Sequence, residues 1–337
     1  MKIAIRSPNW IGDGVMCLPA IRVLREWAPD AELFLITKEY LADIYLNLPE
    51  VNKIIPIPDR LNLSATLRTA RRLRQERFDH GILFTNSFHS ALLFRLAGIR
   101  HTIGYDRDGR HWLLETRIPF QPGTDHHQSF YLEIVSRLTG HRITVPPPCR
   151  PVITREERQQ ASRLLKDMGI GERDDLIAIS PVAAYGQAKA WLPERFAEVV
   201  HQLRKIRPDW KILIFGSAAE RPLIERQFPD LGPGIFNLAG KRSLRQSILL
   251  LSRCRLLIGN DSGLMHIAAG LELPSVAIFG PTLPHKTAPL AGKFTLLYHP
   301  TPCAPCTFRR CPYDHGCMKA VSVTEVMSAA QRLLGRS

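Results

Sequence analysis

The chain has 337 residues, of which 45% are hydrophobic and 23% charged, and a formal net charge of +14. That length suits two domains better than one ordinary core, and the composition excludes a disordered or fibrous chain. No apolar run of about 18 residues occurs, which excludes a membrane-spanning helix, and the sequence opens on a strand-like segment rather than a leader, so a cytoplasmic location is expected.

In chain order, apolar strand-like runs alternate with amphipathic stretches. Strands are expected at 2–6, 32–36, 53–57, 79–84 and 101–104, with helices at 15–27, 39–47, 63–76, 88–97 and 126–139. This alternation reads as βαβ units around a parallel sheet. VPPPCRP at 145–151 cannot continue a helix or a central strand and reads as a linker. Beyond it the alternation resumes, with strands at 175–180, 211–215, 254–258 and 275–279 and helices at 154–168, 194–206, 219–227, 243–252, 263–270 and 322–334. The expected fold class is α/β, with two doubly wound domains, 1–150 and 151–337, facing one another across a ligand-binding cleft; the last helix is allowed to pack back on the first domain.

The positive charge calls for an anionic partner without choosing among nucleic acid, a nucleotide and an acidic membrane surface. Basic residues are densest at 68–77, RTARRLRQER, which reads either as a solvated helix face or as a collar for an anionic substrate or lipid headgroups. A nucleic-acid-binding protein is the alternative from a different class; no zinc-finger, RRM or KH signature supports it.

After the first strand, NWIGDGVMC holds Gly12-x-Gly14, but Cys17 stands where a dinucleotide fingerprint needs its third glycine. What remains is a turn carrying Asp13, which either caps the next helix or serves as a base for a hydroxyl. In the second half, Asn260-Asp261-Ser262-Gly263 joins a strand to a helix, where free amides would cradle a phosphate or Ser262 would simply cap. Gly280-Pro281-Thr282 turns after the next strand, and Lys189 lies in another post-strand loop, either aimed at a departing diphosphate or exposed to solvent. His266 reads as a packed histidine. His126 and His127, adjacent on a helix, diverge by about 100° and do not share one ion; they read as cleft or surface residues.

Seven cysteines occur. Cys17, Cys149 and Cys254 read as isolated thiols, without disulfides in a reducing compartment. Cys303, Cys306, Cys311 and Cys317 form a C-x2-C-x4-C-x5-C cluster around His315, read either as a structural zinc or iron site or as a surface loop with reduced thiols.

Four segments in chain order, NWIGDGVMCLPAIRVL, YGQAKAWLPERFAEV, NLAGKRSL and NDSGLMHIAAGLELPSVAIFGPT, resemble glycosyltransferase family 9, most of all its ADP-heptose:lipopolysaccharide heptosyltransferases of type II. The resemblance implies a GT-B fold, with an acceptor domain followed by a nucleotide-sugar domain. It implies inverting, metal-independent transfer of heptose from ADP-heptose to the lipopolysaccharide inner core, at the cytoplasmic face of the inner membrane and without nucleic acid. By motif match, Asp13 would be the general base and Lys189 would stabilise the diphosphate. Asp261, Ser262, Gly263, Leu264 and Thr282 would line the phosphate site, with Gly216 and Glu220 near the ribose and Leu238 and Gly240 near the adenine. Asn9, Trp10, Gly12 and Arg60 are expected on the acceptor side. Some relatives that act on autotransporter proteins carry cysteine-bound iron, so a protein acceptor or another donor is the alternative within the family.

Overall fold

A computed structural model describes residues 1–335 except Pro122, Thr124, Asp125 and Asp230. The chain divides into two units, Met1–Val152 and Ile153–Ser337.

The first unit holds strands β1 (Lys2–Arg6), β2 (Glu32–Lys38), β3 (Lys53–Ile57), β4 (His80–Leu83), β5 (His101–Asp106) and β6 (Thr116–Pro119). Its helices are α1 (Ile11–Met16), α2 (Leu18–Trp27), α3 (Leu63–Gln75), α4 (Phe88–Leu96) and α5 (His127–Thr139). The strands form one parallel sheet in the order β3-β2-β1-β4-β5-β6. KIAIR becomes the central strand because Ile3, Ala4 and Ile5 bury on both faces, as parallel strands covered by helices must. Asn62 and Ser87 accept backbone N–H groups to start α3 and α4.

The second unit holds β7 (Leu176–Ser180), β8 (Lys211–Ile214), β9 (Ile235–Asn237), β10 (Leu256–Asn260), β11 (Ser275–Phe279) and β12 (Phe294–Tyr298). Its helices are α6 (Arg155–Lys166), α7 (Pro193–Ile206), α8 (Arg221–Gln227), α9 (Leu244–Leu251), α10 (Gly263–Gly270), α11 (Pro284–Thr287), α12 (Gly316–Lys319) and α13 (Val323–Leu334). This sheet is also parallel, in the order β12-β11-β10-β7-β8-β9. Each unit therefore repeats the doubly wound order 3-2-1-4-5-6, whose direction reverses between β1 and β4 in the first unit and between β7 and β10 in the second.

The linker is tied to the first unit: the Arg22 guanidinium donates to the carbonyl oxygens of Pro148 and, at 2.7 Å, Arg150. Val326, Met327, Ala329 and Ala330 of α13 are spent in the core that Ile258 and Ile278 of β10 and β11 supply, so its apolar face is used there. Two expectations change. The stretch 15–27 is two helices, because Cys17 ends α1 and Pro19 restarts the chain as α2, and 39–47 is a 3-10 helix over Glu39–Ile44.

Candidate active site

The two units carry their chemistry at the same place, the carboxyl ends of the strands beside each reversal point. In the first unit a cavity of about 310 Å³ opens there. Asn9, Trp10 and Asp13 enter it after β1, Thr85 and Asn86 after β4, Arg107 and Phe120 from the β5 and β6 ends, and His127 and Tyr131 from α5.

Asp13 is neither in a phosphate turn nor a cap. Gly12, Asp13 and Gly14 lie inside α1, and the N-cap position belongs to Trp10. Gly14 is glycine for a steric reason: a Cβ there would stand 2.9 Å from the Tyr45 hydroxyl and 3.1 Å from Ile44 Cδ1. Close approach of α1 to that segment sets where Asp13 points. The Asp13 carboxylate accepts a hydrogen bond from the Tyr131 hydroxyl at 2.8 Å and lies 3.5 Å from His127 Nδ1. His127 and Tyr131 are four residues apart, so one face of α5 presents both to the carboxylate. Burial, and then the Asp13 charge, hold the Tyr131 phenol well above its usual pKa, so it stays a hydrogen-bond donor. His126 does not join them; its Nδ1 accepts Gln128 N–H and caps α5.

Two buried arginines hold the rim. Arg6 donates to the Ser7 carbonyl at 2.7 Å and to Asn9 Oδ1 at 2.8 Å, which fixes the Asn9 amide. Arg110 donates to the Tyr105 carbonyl at 2.9 Å and the Thr85 carbonyl at 2.5 Å, binding the β4 and β5 loops together. Burial pushes each guanidinium down to about 10, still fully charged at neutral pH. The cavity wall is aromatic, with Phe84 edge-on to Tyr131 and the Arg107 guanidinium 4.4 Å from the Phe120 ring centre. Flat aromatic faces beside a carboxylate and a cation suit a sugar carrying anionic groups. Gly12 and Arg60 are not among the residues that line this cavity. Arg60 follows β3, two strands from β1, and Arg107 is the arginine the structure brings there.

In the second unit, the segments after all six strands, β7 to β12, leave from the carboxyl edge of the sheet. Lys189 Nζ donates to Asp261 Oδ2 at 2.6 Å, and the Thr282 hydroxyl donates to the same oxygen at 2.7 Å. Lys189 is thus not a solvent-facing lysine; it and Asp261 form a largely buried pair, 15% and 6% exposed. The Asp261 carboxylate takes up both donors, holding the Lys189 ammonium and accepting the one proton of the Thr282 hydroxyl. Ser262 starts α10 without capping it, and its hydroxyl is buried without a partner among the described residues. A buried hydroxyl left so costs about 1–3 kcal/mol unless a ligand takes it up. Next to it, the first amides of α10, at Gly263 and Leu264, have no partner within the helix.

Asn260 locks this corner together. It is fully buried, accepts Trp191 N–H at 2.9 Å and donates to the Pro181 carbonyl at 2.9 Å, so the Lys189 loop is fastened to the end of β10. Farther along the edge, Glu220 accepts Ser217 N–H at 2.7 Å, and Gly240 N–H donates to the Gly216 carbonyl at 3.0 Å, so the expected ribose and adenine loops do pack on each other. Leu238 is only 4% exposed, so its side chain is spent in the core. His266 is buried in α10.

The cysteine segment is a clasp on this site. Ala188 N–H donates to the Arg309 carbonyl, Tyr185 O–H to the Thr307 carbonyl and Cys306 N–H to the Pro281 carbonyl, and His315 Nε2 lies 3.0 Å from the Ala188 carbonyl. Cys303, Cys306, Cys311 and Cys317 line one cavity of about 20 Å³. Among the described residues, however, no three Cys, His, Asp or Glu side chains converge closely enough to hold an ion. The sulfurs are spread from exposed Cys303, beside Thr301, to Cys317, buried under Gly280. The residues as placed do not fit a resident zinc or iron.

Sequence reasoning missed Tyr131 and Arg107, and left His127 as a cleft or surface residue with no role. The i, i+4 spacing of His127 and Tyr131 on an expected helix was the available signal, but Tyr131 is 118 residues from Asp13 and only the fold reveals what it faces.

Comparison with known proteins identifies the family. The family model for glycosyltransferase family 9 (heptosyltransferase) matches residues 66–316. Lipopolysaccharide heptosyltransferase 2 of Salmonella typhimurium is 30% identical over 303 residues, covering 87% of this chain and 86% of that protein. Lipooligosaccharide heptosyltransferase 2 of Haemophilus influenzae is 31% identical over 316 residues, 88% of each. The solved structure of E. coli ADP-heptose LPS heptosyltransferase II superposes with a TM-score of 0.86 at 26% identity, covering 99% of this chain and 98% of that one. Its two doubly wound units are those of the GT-B fold, and the chain belongs to glycosyltransferase family 9, the heptosyltransferases.

Proposed function

We propose that the chain transfers heptose from ADP-heptose to the lipopolysaccharide inner core, as a type II heptosyltransferase, with inversion at the anomeric carbon. The observation that carries this reading is the donor corner: Lys189 aimed by Asp261, with the orphaned Ser262 hydroxyl beside the start of α10. A cation, a hydroxyl and free amides gathered at one helix start make a diphosphate site.

In the reaction, the acceptor hydroxyl oxygen forms a bond to the heptose anomeric carbon while the bond from that carbon to the diphosphate breaks. The electron pair leaves with ADP, and the hydroxyl proton passes to the Asp13 carboxylate. Tyr131 and His127 hold that carboxylate. Negative charge grows on the leaving diphosphate, where Lys189, Ser262 and the α10 amides are strongest, while Thr282 spends its one proton bracing Asp261. Lys189 takes the role a divalent ion has in other transferases, so chelation by EDTA is expected to leave the rate unchanged. The loops at 216–220 and 238–240 receive the ribose and adenine. Asn9, Trp10 and Arg107 receive the acceptor.

Among the described residues no helix is long and apolar enough to cross a membrane. We place the enzyme at the cytoplasmic face of the inner membrane, where an amphiphilic acceptor would present its core.

Asp13→Ala tests the reading. Loss of the base is expected to cut turnover by about 10²–10⁴-fold while calorimetric ADP affinity stays unchanged. Near-normal turnover would remove Asp13 from the chemistry, and ADP binding unaffected by Lys189→Ala would remove the donor corner.

A further inference from the structure

We propose that the outer faces of α3 and α4, together with Trp112, form a docking surface for an anionic phospholipid bilayer. This deepens the reading of a membrane-borne acceptor and rests on it only for its biological purpose.

Three elements meet at this surface. The Thr66 hydroxyl on α3 lies 3.2 Å from His89 Nε2 on α4, which joins the first turns of the two helices. Phe88 opens α4, and its ring centre is 5.8 Å from that of Trp112, which sits in the 3-10 turn His111–Leu113. Leu63 and Leu67, one helical turn apart on α3, flank that junction. Leu63 is 77% exposed and Trp112 64%, and Leu67, Phe88 and Leu96 are exposed as well. Phe88, Leu92 and Leu96 repeat every fourth residue, so they form one stripe along α4. A single exposed leucine is ordinary; neighbouring exposed apolar side chains from three elements are not.

The charge around them identifies the occupant. Arg68, Arg71, Arg72 and Arg74 on α3, Arg95 on α4 and Arg100 just beyond it are all exposed. No Asp or Glu occurs between Arg60 and Gln75 or between His80 and Tyr105. Glu76, at the end of α3, is paired with Lys53 at 2.6 Å. A second copy of this chain would set arginines against arginines across a two-fold axis, which opposes self-association. A nucleic-acid duplex, with its bases stacked inside, would use the arginines and leave Leu63, Phe88 and Trp112 in water. An anionic membrane interface uses both: headgroup phosphates take the guanidinium groups, while leucine and tryptophan enter the boundary layer.

The test is co-sedimentation of the full-length protein with phosphatidylcholine vesicles made with and without phosphatidylglycerol. The protein is expected to pellet with the anionic vesicles only, and less as salt is raised. Two variants separate the contributions, Leu67→Ser/Trp112→Ser and Arg68→Glu/Arg71→Glu, and each is expected to weaken partitioning by about tenfold. Both are expected to keep the wild-type melting temperature and turnover on a delipidated core oligosaccharide, since neither touches the acceptor cavity or the donor corner. Wild-type protein that stays in the supernatant overturns the proposal, as do variants that bind like wild type. So does a concentration-dependent dimer that the Leu67→Ser/Trp112→Ser variant abolishes, or duplex DNA that displaces the vesicles while binding that variant normally. Wild-type inactivity on the delipidated acceptor would sink the transferase reading and leave the sedimentation result standing.

Discussion

The Asp13 carboxylate, proposed as the base, is held by two neighbours that the chain brings from more than a hundred residues away. The Tyr131 hydroxyl fixes one carboxylate oxygen at 2.8 Å, and His127 Nδ1 stands 3.5 Å from it. A carboxylate so held is aimed before the acceptor arrives, which is where much of the rate advantage of a bound base originates. Tyr131→Phe removes the hydroxyl and little else, and the ring keeps its edge-on packing against Phe84 at 5.4 Å. Turnover is expected to fall by about tenfold, one hydrogen bond's worth at a charged group, with ADP affinity unaltered. The sign of the pH effect follows from the phenol. Its pKa is raised well above the usual value by burial and by Asp13, so it stays protonated throughout the working range. The variant should therefore be slower at every pH without displacement of the alkaline limb. An alkaline limb that disappears in Tyr131→Phe would mean that the phenol titrates in the wild type, against this assignment.

Among the elements, the loop after β7 and the cysteine segment act as one piece. Gly186 makes that possible. Its φ is +146°, and a Cβ there would lie 2.4 Å from the Arg309 carbonyl oxygen, which accepts the Ala188 N–H one residue before Lys189. Gly186→Ala must push the two segments apart, at a cost of about 1–3 kcal/mol. The expected result is weaker ADP binding by about tenfold and a melting temperature lower by about 2–4 °C per kcal/mol lost, read by titration calorimetry and thermal denaturation. Unchanged ADP affinity would show that the clasp does not position Lys189. The sequence pattern announces this loop only as a lysine after a strand, because a contact between residues 186 and 309 leaves no periodic trace. The same reason explains which elements escaped notice. Central strands such as IAI of β1 and LIAIS of β7 are continuous apolar runs, readable because both faces are buried. β6 is mostly exposed, β9 has three residues and β12 is half-buried throughout, so these edge strands carry no clear alternation.

At the scale of the whole chain, the alternation of strand and helix reveals the fold class and the place of the linker, yet not the strand order. That order comes from right-handed crossovers running first one way and then the other from a central strand, which no local residue records. It matters because both reversal points set their loops at the carboxyl edge, Asp13 in one unit and Lys189 with Asp261 in the other. Each unit also closes its own core. Phe34, Ile55, Leu73, Phe94 and their neighbours pack together in the first, and Ile177, Trp191, Phe196 and Ile258 in the second, with α13 completing the latter. Every side chain assigned to the donor, from Lys189 to Thr282, belongs to the second unit, as does the clasp that braces it. A fragment spanning residues 153–337 is therefore expected to fold cooperatively and to bind ADP within about tenfold of the intact chain, as a domain with its own core should. It is expected to transfer nothing, because the proposed base, Asp13, remains with the first unit. Circular dichroism establishes that the fragment is folded, and calorimetry measures its affinity. A folded fragment that fails to bind ADP would place an essential donor contact in the first unit, and the division of labour between the two reversal points would have to be redrawn.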